Sequence, residues 1–187
     1  MDWFGATGVR AWQDAPVPWE LETERLRLRP LVPGDLDALH AVLSDPVSMR
    51  FYPRPFDREK TRAWIDRWIA DYERGLGLLA IEERTTGGLV GDCGPSLQQV
   101  DDAAFVELGW HVRGDRQGRG YATEAGAACR DRAWQVFDVD RLISLIRPEN
   151  VPSWKVARKL GFRPWRGTVR AGMAHVVWLI DRPDVSP

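Results

Sequence analysis

A glycine–arginine turn lies between an alternating apolar segment and a helical pattern near the middle of the chain. The stretch reads ELGWHVRGDRQGRGYATEAG from Glu107 onward, with Gly118 and Gly120 placed among three arginines: Arg113, Arg116 and Arg119. Glycine lets backbone N–H groups approach a ligand closely, and the start of the following helix adds partial positive charge. These residue types at this spacing predict an anion site, for which phosphate is the usual ligand.

Two common nucleotide-binding motifs do not fit this turn. A Walker loop ends in Gly-Lys-Ser/Thr, which the turn lacks. A dinucleotide fingerprint needs a third glycine at position 123, where the chain has Thr123. The strand before the turn also alternates polar and apolar residues instead of running apolar. Both nucleotide interpretations are therefore weakened, although the anion site itself is not.

The elements that must position the turn follow from hydrophobic periodicity. Alternating or continuous apolar runs predict seven strands, and apolar residues at helical spacing predict four helices. The strands are expected at 24–31, 77–84, 88–94, 104–112, 142–146, 162–169 and 174–181, and the helices at 33–45, 57–74, 122–137 and 151–160. The order predicts an α/β fold of the α+β type, with helices packed on one mixed sheet.

Three details of this layout are separate expectations. Gly94 and Pro95 predict a bulge or an early break in the third strand. Residues 1–20 are interpreted as an irregular N-terminal arm that packs on the domain through its aromatic side chains: Trp3, Phe4, Trp12 and Trp19. Residues 21–187 are expected to form a single domain.

Composition excludes several classes of function. The chain has 26 Lys and Arg against 27 Asp and Glu, so its net charge of −1 argues against an extended nucleic-acid surface. Two cysteines and three scattered histidines predict neither a disulfide framework nor a metal site. Without an apolar run of membrane length or a secretory signal, the expected location is the cytoplasm, with no membrane partner.

The glycine turn and three further segments resemble the GNAT superfamily of acyl-CoA-dependent N-acyltransferases. Gln117-Gly-Arg-Gly-Tyr-Ala122 matches the Gln/Arg-x-x-Gly-x-Gly/Ala signature, and ELGWHV before it resembles that family's fourth strand. RPENVPSWKVARKLGF resembles the second cofactor motif, Asn-x-x-Ser followed by a helix and Lys-x-Gly-Phe. LETERLRLRPL resembles the opening strand of the ribosomal-protein-alanine N-acetyltransferase branch. The resemblance spans roughly residues 21–181.

This resemblance implies a splayed sheet of about seven strands flanked by four helices, with acetyl-CoA as co-substrate and no metal. Coenzyme A would lie between the diverging fourth and fifth strands. Its diphosphate would contact the glycine turn, its pantetheine arm would pair with the fourth strand, and Asn150 would hold its amide arm. The implied cofactor-binding residues are Trp110, His111, Val112, Arg113, Gln117, Gly118, Arg119, Gly120, Tyr121, Ala122, Thr123, Asn150 and Ser153.

Acyl transfer to an amine requires a base, because a lysine amine titrates near 10.4 and an α-amine near 8. Glu107 is the predicted base; the alternative is a solvated or salt-bridged strand carboxylate. Ser153 is predicted to assist departure of the thiolate; the alternative, which does not exclude this, is a serine that caps its helix. His111 is interpreted as a packing residue, and Tyr121 as structural.

The acceptor side would be lined by Arg50, Tyr52 and Trp110, whereas Trp64, Trp68 and Trp178 are interpreted as core. The predicted function is direct acetyl transfer to a primary amine, either a protein N-terminus or a small molecule. A non-catalytic acyl-CoA sensor and, more weakly, a nucleotide-binding switch protein are the alternatives. The pattern leaves open whether the protein is a monomer or a homodimer.

Overall fold

The computed structural model describes residues 10–11 and 19–183 of the 187-residue chain. Its described part contains an eight-stranded mixed sheet and four α-helices. The strands are β1 Arg10–Ala11, β2 Leu21–Glu22, β3 Leu26–Pro30, β4 Leu79–Glu83, β5 Leu89–Val100, β6 Ala103–Val112, β7 Phe137–Asp138, β8 Arg141–Ile146, β9 Arg163–Arg170 and β10 Met173–Asp181. The helices are α1 Leu36–Leu43, α2 Arg58–Asp71, α3 Tyr121–Val136 and α4 Val151–Lys159.

The main sheet has the order β2-β3-β4-β5-β6-β8-β10-β9, and its central pair is the feature that creates a site. β6 and β8 are parallel, whereas the other neighbours are antiparallel. Within the described part of the chain, the register between β6 and β8 ends after Val106↔Leu142 and Glu107↔Ile143. The two strands then separate, and this confirms the predicted splayed sheet.

The predicted helices are present with small shifts at their ends. Asp57 caps α2 as expected, since its side chain accepts the N–H of Lys60. The last residues of the predicted helix form a 3-10 turn at Tyr72–Arg74. α3 packs on β5 and β6 through a buried stripe that includes Ala125, Cys129 and Ala133. This packing fixes the start of α3, and with it the glycine turn, against the middle of the sheet.

The predicted break at Gly94–Pro95 is wrong, because β5 runs through both residues and pairs with β6 without interruption from Gly91 to Val100. The pairing of β4 with β5 ends at Leu79↔Cys93. Proline has no backbone N–H, but β4 requires none at position 95 because the pairing has already ended there. The Pro95 carbonyl accepts the N–H of Gly77 at 2.7 Å. A Cβ on Gly94 would lie 2.4 Å from the Gly77 oxygen. The absence of a side chain at Gly94 therefore lets the segment around Gly77 pass close to β5.

The N-terminal arm is described only in part. Arg10–Ala11 pair with Phe137–Asp138 as a separate two-stranded sheet. Trp19 is buried against Phe137, with 6.1 Å between ring centroids. The other three aromatic residues of the predicted arm, namely Trp3, Phe4 and Trp12, lie outside the described residues. The boundary of the domain at residue 21 therefore stays a prediction.

Candidate active site

A cleft of about 640 Å³ opens where β6 and β8 part. One end reaches the turn before α3, including Gly118 and Gly120. The cleft is also lined by Tyr52, Phe56 and Trp64, which belong to the segment after α1 and to α2. The cleft thus joins the glycine turn to the predicted acceptor side through the fork in the sheet.

The glycine turn presents five consecutive backbone N–H groups, from Gly118 to Ala122, with no acceptor among the described residues. Gly118 and Gly120 have φ values of 77° and 87°, which L side chains rarely adopt. The first backbone hydrogen bond at the start of α3 is donated by the Thr123 N–H to the Gly120 carbonyl. These unpaired donors lie at the positive end of the 16-residue helix α3.

Contacts around the turn fix its conformation. Gln117 Nε2 donates to the Val112 carbonyl at 3.0 Å, so the predicted cofactor residue Gln117 secures the turn to the end of β6. The Tyr121 hydroxyl donates to Glu83 at the end of β4. That hydrogen bond raises the pKa of Tyr121 and lowers the pKa of Glu83. This contact joins Tyr121 to the end of β4, and Tyr121, which is also predicted to bind the cofactor, lines the cleft.

The three arginines of the turn differ in their surroundings. Arg113 forms a bidentate pair with Asp115, which raises the pKa of Arg113 and lowers that of Asp115. Neither Arg113 nor Arg119 lines the cleft, but Arg116 does. The Arg116 Nε is buried and has no partner among the described residues. Among the three arginines of the turn, Arg116 is thus the one whose side chain lines the cleft.

The second cofactor motif places Asn150 and Ser153 on the opposite wall. Asn150 is the N-cap of α4, and its Oδ1 accepts the N–H of Ser153 at 3.2 Å. The suggestion that Ser153 caps this helix is therefore wrong, because Asn150 does so. Ser153 lines the cleft, and its hydroxyl has no partner within the described part of the chain. The hydroxyl is free to contact a ligand.

Glu107 lies at the fork itself and spans it. Its Oε1 accepts the N–H of Leu145 on β8 at 3.1 Å, and its Oε2 accepts the hydroxyl of Ser96 on β5 at 3.2 Å. Its partners are thus neutral groups and not the cation that a salt-bridged carboxylate would have. The carboxylate lines the cleft and retains lone pairs for a further donor.

A second polar network was not found by sequence reasoning. Asp92 is fully buried, and its Oδ1 lies 2.6 Å from His111 Nδ1. His111 Nε2 lies 2.7 Å from the Tyr52 hydroxyl, and Trp64 Nε1 donates to Asp92 Oδ2 at 2.9 Å. The interpretation of His111 as a packing residue is therefore wrong, since its ring joins a buried carboxylate to a hydroxyl in the cleft.

The signal for this network lay in the register of one hairpin. β5 and β6 are joined by Asp101–Asp102, which places Asp92 directly opposite His111. The predicted break at Gly94 lies between Asp92 and that turn, so with such a break the pairing of Asp92 with His111 does not follow from the sequence. Of the tryptophans interpreted as core, Trp68 and Trp178 are buried, whereas Trp64 is half-buried and lines the cleft. Arg50 and Trp110 also line the cleft, and their place on an acceptor side stays a prediction.

Residues 10–11 and 19–183 contain no group of three or more His, Cys, Asp or Glu side chains arranged to hold a metal ion. Among the same residues, no helix has the length and apolar character needed to cross a membrane.

Comparisons with known proteins agree with this geometry. Residues 25–163 match the model of the acetyltransferase (GNAT) domain. The uncharacterized protein YkkB of Bacillus subtilis is 34% identical over 145 residues, covering 76% of this chain and 84% of YkkB. An acetyltransferase structure from Agrobacterium tumefaciens superposes with a TM-score of 0.73 at 29% identity, covering 91% of this chain and 97% of that one.

A third similarity concerns a structure with a bound ligand. RimL, a ribosomal L7/L12 α-N-protein acetyltransferase in complex with coenzyme A, superposes with a TM-score of 0.68 at 20% identity. The match covers 88% of this chain and 97% of RimL. Together, the domain match over most of the chain, the relative above 30% identity and the splayed fold show that the chain belongs to the GNAT family of acetyltransferases.

Proposed function

We propose that the protein transfers an acetyl group from acetyl-CoA directly to a primary amine. The observation that carries the proposal is the run of free N–H groups from Gly118 to Ala122 at one end of a cleft whose other end holds a carboxylate. The first feature suits a diphosphate and the second suits an ammonium group. The cleft between them passes through the fork of the sheet.

The donor end fits coenzyme A in three respects. The free N–H groups and the unpaired Arg116 Nε supply donors for a diphosphate. Beyond Glu107, the edge of β6 that faces β8 has no register partner in the described chain. An extended amide chain such as pantetheine can pair with a free strand edge. Ser153, with its free hydroxyl, would lie on the opposite wall, where it could hydrogen-bond the departing sulfur.

At the acceptor end, Glu107 would accept a proton from the incoming amine, directly or through water. Its two hydrogen-bond partners are neutral groups, so no cation among the described residues already pairs with the carboxylate. Backbone N–H groups of β6 would bind the thioester oxygen as charge develops on it. Positioning of the two substrates in one cleft would supply much of the remaining acceleration.

The proposed acceptor is a protein or peptide N-terminus, with small-molecule amines as the second class. Support comes from RimL, which is a protein α-N-acetyltransferase, and from aromatic side chains that line the same cleft as Glu107. Tyr52, Phe56 and Trp64 form a wall of contacting rings, with centroids 6.0 and 5.6 Å apart. Such a wall suits the apolar part of an N-terminal residue.

The test is an amine panel with acetyl-CoA, read by release of free thiol and by mass of the acetylated product. The panel contains peptides with N-terminal Ala or Ser, the same peptides with a blocked N-terminus, a polyamine and an aminoglycoside. Thiol release with at least one free amine, and none with its blocked counterpart, is expected. Saturable acetyl-CoA binding without turnover on any amine would instead indicate a sensor and would overturn the proposal.

A further inference from the structure

Two polar pairs lie on the same face of the β5–β6 hairpin. Asp92 faces His111, and Ser96 faces Glu107, with a glycine pair between them in the ladder. At about 3.3 Å per residue, the four positions from Glu107 to His111 span roughly 13 Å of strand. Leu78 is buried and passes over the glycine pair, so an apolar side chain separates the two polar pairs. They are therefore two distinct groups in one cleft.

The hydrogen bonds of His111 determine its tautomer. A carboxylate only accepts, so the 2.6 Å contact with Asp92 places the proton on His111 Nδ1. In the neutral ring, Nε2 then carries the lone pair and accepts the Tyr52 hydroxyl at 2.7 Å. Asp92 is held in place by a second donor, Trp64 Nε1. A buried carboxylate in this position stabilises a positive charge on the imidazole ring.

Tyr52 is the member of this hydrogen-bonded series that a substrate can reach. The residue is 39% exposed and lines the cleft, whereas Asp92 is fully buried. Burial of the hydroxyl, together with the charges of Asp92 and Glu107, raises the pKa of Tyr52, and Arg170 opposes this effect. The hydroxyl is therefore protonated at neutral pH. It can pass a proton on only by receiving one as it gives one to His111.

Charged side chains lie in or beside the cleft on several neighbouring elements, and Arg50 on the segment of Tyr52 is one of them. β5 contributes Asp92, β6 contributes Glu107, β9 contributes Arg170, and α2 contributes Lys60 and Arg67. Lys60 lies over the Phe56 ring, 4.1 Å from its centroid. Among these groups, the acceptors of protons are the carboxylates and the imidazole of His111.

We propose that Asp92, His111 and Tyr52 form a proton relay that removes the second of the two protons lost by the acceptor nitrogen. This proposal rests on the proposed acetyl transfer. An ammonium group loses its first proton to Glu107 and then forms the nitrogen–carbon bond. The nitrogen then gives a proton, through a bridging water that spans the distance from Glu107, to the Tyr52 oxygen while the Tyr52 proton moves to His111 Nε2.

The protons lost and gained in this sequence of steps balance. The carbon–sulfur bond breaks with its electron pair on sulfur, and the thiolate takes one proton from solvent through the Ser153 hydroxyl. His111 and Glu107 each release one proton to solvent after the products leave. The net reaction converts an ammonium group and the thioester into an amide, a thiol and one proton. Tyr52 ends neutral, as it began.

The test is the pH dependence of turnover in Tyr52→Phe, compared with wild type and with Glu107→Gln, on the amine that the panel selects. We expect kcat of Tyr52→Phe to fall about 100-fold, within the range of general acid–base catalysis, with little change in KM for acetyl-CoA. The loss of kcat in Tyr52→Phe should persist as pH rises, because the relay acts after a neutral amine has attacked. The loss of kcat in Glu107→Gln should become smaller as pH rises, because the amine then arrives deprotonated.

Tyr72→Phe is the matched control, since it also removes one tyrosine hydroxyl. That hydroxyl joins Leu31 N and Leu78 O in the core, so its loss should lower thermal stability without a comparable loss of kcat. Equal turnover of wild type and Tyr52→Phe, or a loss that merely follows thermal stability, would overturn the relay alone. A wild-type protein that acetylates no amine would overturn the proposed function and the relay together.

Discussion

The two ends that we propose for the cleft offer different kinds of binding group. At the proposed donor end, the groups available to a ligand are main-chain N–H groups from consecutive residues, Gly118 to Ala122. At the acceptor end, they are side chains brought together from four separate segments, such as Tyr52, Trp64, Asp92 and His111. A main-chain site is disturbed mainly by a change of backbone conformation, and a side-chain site by removal of a single functional group.

This difference predicts opposite sensitivities at the two ends. Substitutions that alter the backbone of the turn should change acetyl-CoA affinity and leave the chemistry of bound substrates almost intact. Isosteric substitutions at the acceptor end should change kcat and leave acetyl-CoA affinity almost intact. The predictions that follow test this separation, beginning with the largest expected effect.

Glu107→Gln should lower kcat about 100-fold at neutral pH with acetyl-CoA affinity within a few-fold of wild type. The amide retains the shape of the side chain but cannot accept a proton from an ammonium group. Steady-state kinetics across pH, with calorimetry for acetyl-CoA, provide the measurement. A parallel loss of acetyl-CoA affinity would show that Glu107 mainly holds the fork together through Leu145, and the separation of the two ends would fail.

Gly118→Ala should weaken acetyl-CoA binding about 10-fold, because the added Cβ forces the backbone out of its positive φ. Gly87→Ala is a closely matched control. Gly87 has a φ of 69°, against 77° for Gly118, and a Cβ at either position meets nothing within 4 Å. Both variants should lose about 1 kcal/mol of stability. Calorimetry should show an affinity loss for Gly118→Ala alone, and equal affinities would refute the main-chain account.

Arg116→Gln should reduce acetyl-CoA affinity about 5-fold and flatten its dependence on salt concentration. Arg113→Gln should have a smaller effect, because Arg113 is already paired with Asp115 and does not line the cleft. Titrations at two salt concentrations give the comparison. The reverse order would mean that the exposed guanidinium, rather than the one in the cleft, meets the diphosphate.

Fold and donor end were largely predictable from sequence, since both depend on neighbours along the chain. The seven predicted strands and four helices are present, and the turn lies where Gly118 and Gly120 indicated. The acceptor end depends on the register between β5 and β6. That register could not be predicted once a break was expected at Gly94. Because Pro95 lies beyond the end of the β4 ladder, it interrupts nothing, and the hairpin continues to align Asp92 with His111.

Away from both ends, Asp35 should govern part of the acid stability. Burial opposes its ionisation, but hydrogen bonds from Arg29 and from the Val32 N–H outweigh this, so its pKa lies below the ordinary 3.8. Its stabilising contribution is therefore present above about pH 4 and is lost as pH falls through the lowered pKa. Asp35→Asn should cost about 2 kcal/mol at pH 7 and less in acid.

Thermal melts between pH 7 and pH 3 measure this effect, and acetyl-CoA calorimetry at pH 7 serves as the control. The melting temperatures of wild type and Asp35→Asn should converge as pH falls. Because Asp35 lies outside the cleft, acetyl-CoA affinity should stay within a few-fold of wild type. A difference in melting temperature that stays constant with pH would show that the carboxylate is not the source of the stabilisation.

The most direct test of the account is an acetyl-CoA titration of the ¹⁵N-labelled protein, followed through its backbone amide resonances. The amides from Gly118 to Ala122 should show the largest saturable shifts, because they would exchange water for diphosphate oxygens, while the Gly87 amide should stay in place. Saturable shifts located elsewhere, with the turn unchanged, would contradict the proposal that these main-chain groups bind the acetyl donor.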